Sequence, residues 1–229
     1  IEEYLYDTQR GHISLIEMDE DGHWTQPVRV LERPYHLSYP FVFEHEDSLY
    51  MIPESAGNRT IELYKCVEFP HRWEFQRNLM EDVYAVDATL LERDGRWWLF
   101  ANLRENDGAS SWDELFVFHA EDFLTDEWTA HPQNPVISDC KRSRPAGAFF
   151  ERNGRLYRPS QNCSVRYGYG FNFSEVRVLS ETAYEEEVVT TVEPDWEPDL
   201  RGTHTFNAKG RLHMSDAYLR RRKWGGAGR

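Results

Sequence analysis

The sequence is poor in cysteine: Cys66, Cys140 and Cys163 are the only three in 229 residues. They lie far apart, are odd in number and fit no zinc spacing, so neither a disulfide framework nor a zinc module is expected. Three small buried or half-buried thiols are the plain reading, and they favour a reducing compartment. Long apolar runs are also missing. No stretch approaches the roughly 18 residues of a membrane-spanning helix, so no transmembrane segment is expected. The start, Ile1-Glu2-Glu3-Tyr4-Leu5-Tyr6, has no signal-peptide pattern. Positive charge is in deficit, with 26 Lys and Arg against 40 Asp and Glu and a net charge of -14. That argues against nucleic acid as a partner, because affinity for a polyanion comes from basic side chains. The short basic run Arg220-Arg221-Arg222-Lys223 does not change this reading and suits a solvated strand end or linker. No phosphate loop, nucleotide fingerprint or metal-ligand spacing appears. No cofactor and no metal site are expected.

What the chain has in excess is aromatic residues: 14%, from 8 Trp, 12 Tyr and 13 Phe, beside only 4 Met. With 40% hydrophobic and 29% charged residues it reads as a soluble globular chain rich in β-structure. That profile is common where sugars are bound.

One phrase repeats along the chain: a short apolar strand, a polar turn, then a second strand with aromatics. Copies run over 39–52, 87–100 and 146–157, with a shorter one over 204–214. Asp94-Gly95 and Asn153-Gly154 mark tight hairpins, because both central residues of a type I′ turn need positive φ. The inner hairpins are continuously apolar, as strands buried on both faces should be. The segments that follow them alternate, as half-exposed strands should. Trp24, Trp73 and Trp128 start equivalent outer segments and read as packing residues. The acidic run Glu185-Glu186-Glu187 reads as a solvated turn, with a short helix or a loop entering a strand as alternatives. Each four-strand unit is a propeller blade. The expected fold is all-β, a single five-bladed β-propeller over 1–229. Residues 1–32 form a partial blade, 36–80, 85–137 and 144–195 whole blades, and 202–219 a partial blade. The first unit lacks an innermost strand and the last lacks its outer pair, so the ring reads as incomplete at both ends and the chain as part of a longer protein. The alternative joins 1–32 and 202–219 into one closing blade of a four-bladed ring.

In a blade the start of strand one and the end of strand two share one mouth of the channel. This groups Tyr39 with Glu54 and Ser55, Asp87 with Asn102, Arg144 with Gln161 and Asn162, and His204 with Asp216, with Glu2 and Glu3 at the first blade. Burying so many polar groups without partners would be costly, so a ring of them suits a water-filled mouth and a polyhydroxyl ligand. Each also has a structural alternative. Asp87 could cap a strand, Arg144 could pair with Asp87 or Glu54, and His204 could be a satisfied core histidine. Glu54 could end a turn, and Gln161 and Asn162 could cap a loop. Trp112, in the polar loop 106–113, is the candidate sugar platform.

These stretches resemble a known family. The runs His36-Leu37-Ser38-Tyr39-Pro40-Phe41, Met51-Ile52-Pro53-Glu54-Ser55 and Asn58-Arg59-Thr60 are similar to the N-terminal domain of glucosamine inositolphosphorylceramide transferases. So are Val86-Asp87-Ala88-Thr89, Ser110-Ser111-Trp112-Asp113, Arg144-Pro145-Ala146-Gly147 and Arg158-Pro159-Ser160-Gln161. The resemblance implies a propeller related to glycoside hydrolase family 43, attached to a catalytic domain: a glycosyltransferase in plants, other contexts in bacteria. A bacterial chain would be cytoplasmic. By resemblance to family 43, Asp87 matches the blade-three Asp and His204 the blade-five His. The blade-one Asp has no counterpart, and Arg144 or Pro145 stands where that family places its Glu acid. An Arg cannot be a general acid near neutral pH, but it can hold a carboxylate or phosphate. The resulting expectation is a carbohydrate-recognition domain of a glycan-transferring or glycan-modifying protein. Its ligand would be an anionic or amino sugar, with Arg144 holding an anionic group and Tyr39, Asn102, Trp112, Gln161, Asn162, His204 and Asp216 contacting the sugar. A glycoside hydrolase with a rearranged site, using Asp87 and Glu54 as acid or base, is the alternative. A purely structural module is a third reading.

Overall fold

Two-residue turns organise the backbone. Asp94 and Gly95 have φ of 55° and 72°, and Asn153 and Gly154 have the same values. Glu46 and Asp47, at 46° and 57°, make an equivalent turn without glycine. In the computed structural model, which describes residues 1–220, these turns join β4 (Ser38–His45) to β5 (Ser48–Ser55), β8 (Ala85–Arg93) to β9 (Arg96–Leu103), and β13 (Phe150–Arg152) to β14 (Arg155–Asn162). Each hairpin then adds two outer strands. β6 (Thr60–Glu68) and β7 (Arg72–Glu81) complete the sheet β4-β5-β6-β7. β10 (Glu114–Ala120) and β11 (Thr129–Ala130) complete β8-β9-β10-β11, with β12 (Ile137–Ser138) also on β10. β15 (Gly170–Leu179) and β16 (Tyr184–Val192) complete β13-β14-β15-β16.

The chain ends form smaller sheets. β1 (Glu2–Leu5), β2 (Arg10–Leu15) and β3 (Val28–Leu31) make one of three strands. β17 (Leu200–Gly202) pairs with β20 (Tyr218–Leu219) around the hairpin of β18 (Phe206–Lys209) and β19 (Leu212–Ser215). Among the described residues no ladder joins β1–β3 to β17–β20, so the two do not form one composite sheet. All ladders are antiparallel. There is no α-helix among the described residues, only a 3₁₀ turn at Ala56–Asn58.

The apolar core lies between consecutive sheets. Phe41, Tyr50, Ile52, Leu63, Leu90, Trp97 and Phe123 fill one cluster between β4–β7 and β8–β11. Trp98, Phe100, Leu115, Val117 and Tyr184, with Phe149, fill the next. Adjacent Trp97 and Trp98 therefore serve different cores, as the two-residue period of a strand requires. This explains why the inner hairpins are apolar throughout: both of their faces are covered.

Two readings of the sequence need correction. Trp73 and Trp128 pack in the cores and give their indole N–H to the carbonyls of Pro70 and Thr125, both at 3.2 Å. Trp24 does not pack; it is 71% exposed and joined to the sheet region only by an isolated bridge to Met18. The run Glu185-Glu186-Glu187 is neither a solvated turn nor a helix, but the start of β16. Tyr184 and Glu186 face inward while Glu185 and Glu187 face water. The two-residue period, not the charge of the run, decides which glutamate is buried. Of the basic run at the C-terminus, the residues past Arg220 lie outside the described residues.

Candidate functional site

The inner strands of successive sheets begin with the same local defect. The β4–β5 register slips between Ser38 and Phe41, and the β8–β9 register between Val86 and Thr89. Inside each slip sits a non-glycine residue in the left-handed region, Tyr39 at φ 40° and Asp87 at φ 53°. Such backbone costs of order 1–3 kcal/mol and persists only where its surroundings impose it. The bulges aim both side chains at a cavity of about 550 Å³ where the sheets converge. Glu2, Ser38, Gln161, Tyr167, His204 and Asp216 share its wall. Gly147 lets the last hairpin approach. Its φ is 137°, and a Cβ there would fall 1.9 Å from the Phe206 carbonyl oxygen.

Asp87 anchors the floor. Its Oδ2 accepts from Arg144 Nε at 2.5 Å and from Gln161 Nε2 at 2.8 Å, all three side chains being buried. Arg144 donates further to Glu54 Oε2 and to the Ser111 carbonyl, both at 3.4 Å. Burial opposes the charge on Arg144, but Asp87, Tyr167 and Glu54 together outweigh it and hold the guanidinium above its ordinary range. Burial, and then the charge of Asp87, push the Glu54 carboxyl up to about 8 against the pull of Arg144. Near neutral pH Glu54 therefore keeps its proton beside Asp87. Two carboxyls and one guanidinium share a dry site, and one proton settles the imbalance.

The far wall is a second unit. Asp216 Oδ2 meets His204 Nδ1 at 2.5 Å, and Oδ1 accepts from the backbone N–H of His204 and Thr205, both at 2.7 Å. Burial works against ionisation of Asp216, yet the bonds from His204 and the backbone hold it down at about 2. Gly168 and Tyr167 pack on the imidazole, Tyr167 edge-on with ring centroids 5.4 Å apart. Tyr167 also meets Arg144, whose guanidinium carbon lies 4.8 Å from the phenol centroid. Tyr167 thus separates Arg144 from the cavity.

The sequence-predicted residues divide cleanly. Tyr39, Asp87, Gln161, His204 and Asp216 line the cavity. Arg144 and Glu54 lie behind that wall, tied to Asp87. Asn102 is fully buried; its Nδ2 reaches Ser143 Oγ at 3.4 Å and its Oδ1 has no partner among the described residues. Asn162 caps the turn after β14, accepting from Ser164 N and Oγ. Trp112 is 38% exposed with its ring 6.0 Å from Tyr167, outside the cavity wall. Tyr167 and Glu2 complete the wall. Tyr167 sits in the short loop between β14 and β15, where Arg166-Tyr167-Gly168-Tyr169 follows the Gln161-Asn162 strand end. An aromatic in a loop at the mouth was the available signal.

The exposed loop side chains of Asp19, Asp21 and His23 bring ligand atoms within 4.8 Å of one another. Asp19 Oδ1 accepts from the N–H of Asp21 and of His23, which accounts for their closeness.

Comparison with known proteins gives three results. The family described as glucosamine inositolphosphorylceramide transferase 1, N-terminal, matches residues 5–227. Glucosamine inositolphosphorylceramide transferase 1 of Oryza sativa subsp. japonica is 32% identical over 213 residues, and that of Arabidopsis thaliana 30% over 211. The matches cover 92% and 90% of this chain but 28% and 27% of those proteins, so the chain spans little more than a quarter of their length. Among solved structures, a family 117 glycoside hydrolase from Zobellia galactanivorans superposes with a TM-score of 0.59 at 11% identity, covering 83% of this chain and 58% of that one. An exo-beta-1,3-galactanase from Clostridium thermocellum gives 0.56 at 13%, covering 86% and 48%. At such identities the likeness concerns the fold.

Proposed function

This chain belongs to the family of the N-terminal domain of glucosamine inositolphosphorylceramide transferase 1, and from that premise we propose that it is a carbohydrate-recognition domain whose cavity takes a sugar. The observation that carries the reading is the make-up of the cavity wall. Buried Asp87 and Gln161, His204 and Tyr39 present polar groups from different sheets to one space, and Tyr167 adds an aromatic ring to the same wall. Sugars are bound by such a mixture of fixed acceptors, donors and flat apolar faces. Arg144 holds Asp87 in place, and Asp216 fixes the orientation and tautomer of His204. The units 1–32, 36–80, 85–137, 144–195 and 202–219 are taken as the five blades of one propeller domain. The attached partner is a catalytic domain in the longer protein, as the share of the relatives that the match covers suggests.

One observation favours a second reading, a hydrolase with a rearranged site. Glu54 keeps its proton to about 8 beside Asp87, as a general acid would. Against it, Glu54 lies behind the wall and is not among the residues lining the cavity.

A glycan array followed by calorimetry tests both. Recognition predicts saturable binding of a glycan without its cleavage, and Tyr167→Ala weakens it by about tenfold or more. Absence of binding to every glycan sinks the recognition reading. Release of free sugar from the bound glycan replaces it with the hydrolase.

A further inference from the structure

We propose that Cys140 and Cys163 are a redox-sensitive pair, and that a disulfide between them withdraws the thiol that holds Gln161 on the cavity floor. The effect on binding rests on the sugar-binding reading above; the disulfide itself does not.

Sequence spacing links no two of the cysteines, but the fold does. The backbone N–H of Cys163, just past the end of β14, donates to the carbonyl of Cys140 at 2.9 Å. The two segments run antiparallel from there, with Gln161 N–H on the Arg144 carbonyl at 2.7 Å and Ala146 N–H on the Pro159 carbonyl at 3.1 Å. Residues bonded directly across antiparallel segments stand about 5.5 Å apart at Cα, inside the range of roughly 4.4–6.8 Å that a disulfide spans. Cys140 is half-buried, so a reagent reaches it, while Cys163 is 4% exposed. Cys66 lies in another sheet, opposite Trp73 of β7.

Cys163 has a task when reduced. Gln161 is buried, and its Nε2 donates to Asp87 Oδ2 at 2.8 Å and to the Pro145 carbonyl at 3.0 Å. Two acceptors on that side fix the amide and turn Oε1 toward Cys163, whose Sγ donates to it at 3.8 Å. Burial pushes the Cys163 thiol up, so it keeps its hydrogen near neutral pH. In the disulfide that hydrogen is gone, and Gln161 Oε1 is left buried without its donor, which costs free energy. Turning the amide to relieve it takes Nε2 away from Asp87, and both residues belong to the cavity wall.

The chemistry is thiol–disulfide exchange with a small oxidised disulfide. The Cys140 thiolate attacks one sulfur of oxidised glutathione and releases the first glutathione thiolate. Cys163, giving up its proton, then attacks the Cys140 sulfur of the mixed disulfide and releases the second. Two protein thiols are oxidised, one glutathione disulfide is reduced, and the two protons end on the two released glutathiones.

The test treats the chain with oxidised glutathione, blocks free thiols with iodoacetamide and maps the peptides by mass spectrometry. The expected result is a Cys140–Cys163 link with Cys66 alkylated, reversed by dithiothreitol. Calorimetry with the array's tightest glycan should then find the oxidised chain about fivefold weaker, and reduction should restore it. Cys140→Ser should keep the reduced affinity in oxidant. Cys163→Ala should reproduce the oxidised affinity without oxidant, and Cys163→Ser, which keeps a donor, should recover most of the loss. Two unlinked thiols after oxidation, or a reaction that stops at glutathione on Cys140, overturns the pair. A linked chain that binds as tightly as the reduced one, or full affinity in Cys163→Ala, overturns the support of Gln161. If the reduced chain binds no glycan, the sugar-binding reading falls and takes the Gln161 role with it, while the peptide map decides the disulfide.

Discussion

Two buried arginines in this molecule are held in opposite ways. Arg158, on β14, meets Glu186 of β16 through two bonds, Nε to Oε2 at 2.6 Å and Nη2 to Oε1 at 2.7 Å. Tyr184 adds a bond to the same carboxylate at 2.5 Å, and the carbonyls of Arg142 and Ser143 accept from Nη2 and Nη1 of Arg158. Charge is matched one to one. Arg144, two residues past Arg142, meets two carboxyls, Asp87 and Glu54, beside a cavity. Its neighbourhood is over-supplied with acid, holds a proton to balance it, and stores left-handed backbone at Asp87. The matched site needs nothing further and works as a clamp: it fixes the carbonyls just before Arg144. The mismatched one has the features of a site poised for a partner, because its groups are satisfied only by a shared proton.

Breaking the clamp should have the largest effect. Arg158→Met leaves Glu186 buried without its cation, a loss of about 3–5 kcal/mol of unfolding free energy in urea titrations. The double variant Arg158→Met, Glu186→Met should recover most of it, because neither buried charge remains. If the single variant costs under about 1 kcal/mol, the clamp is not rigid and the contrast between the two sites collapses.

The mismatched site should show itself in pH dependence. Glu54 has its folded pKa raised from 4.5 to about 8, so the native state binds a proton that the unfolded chain has released. The stability this contributes is fully present below about 4.5 and is lost as pH rises through about 8. Glu54→Gln should flatten that decline across the window, read as urea midpoints at a series of pH values. An unchanged slope would place the shared proton on another group.

The same contrast explains what could be read from sequence. Hairpins were legible because Asp94-Gly95 and Asn153-Gly154 announce their turns locally. Tyr39, Asp87, Gln161, His204 and Asp216 were legible because strand starts and strand ends converge on one mouth. Arg158 and Glu186 were not, since they are 28 residues apart and only the two-residue period, read in the right phase, turns Glu186 inward. Nor was the division between wall and backing. Arg144 and Glu54 stand at mouth positions, yet the loop carrying Tyr167 folds over Arg144, and sequence does not show where that loop falls.

The smallest effect is expected where the two sites adjoin. Ser143 gives its carbonyl to Arg158 and lies next to Arg144, while its hydroxyl donates to the Trp112 carbonyl at 2.7 Å. Asn102 touches this junction through a single bond of 3.4 Å to Ser143 Oγ. Its own Oδ1 is buried without a partner among the described residues. Asn102→Ala loses that weak bond but also removes an unsatisfied acceptor, and the two effects oppose each other. The net change should stay within about 1 kcal/mol in urea, and glycan affinity should move less than about threefold. A loss above about 3 kcal/mol would mean that Asn102 ties the clamp to the acid-rich site, so that both form one network and their variants cease to be additive.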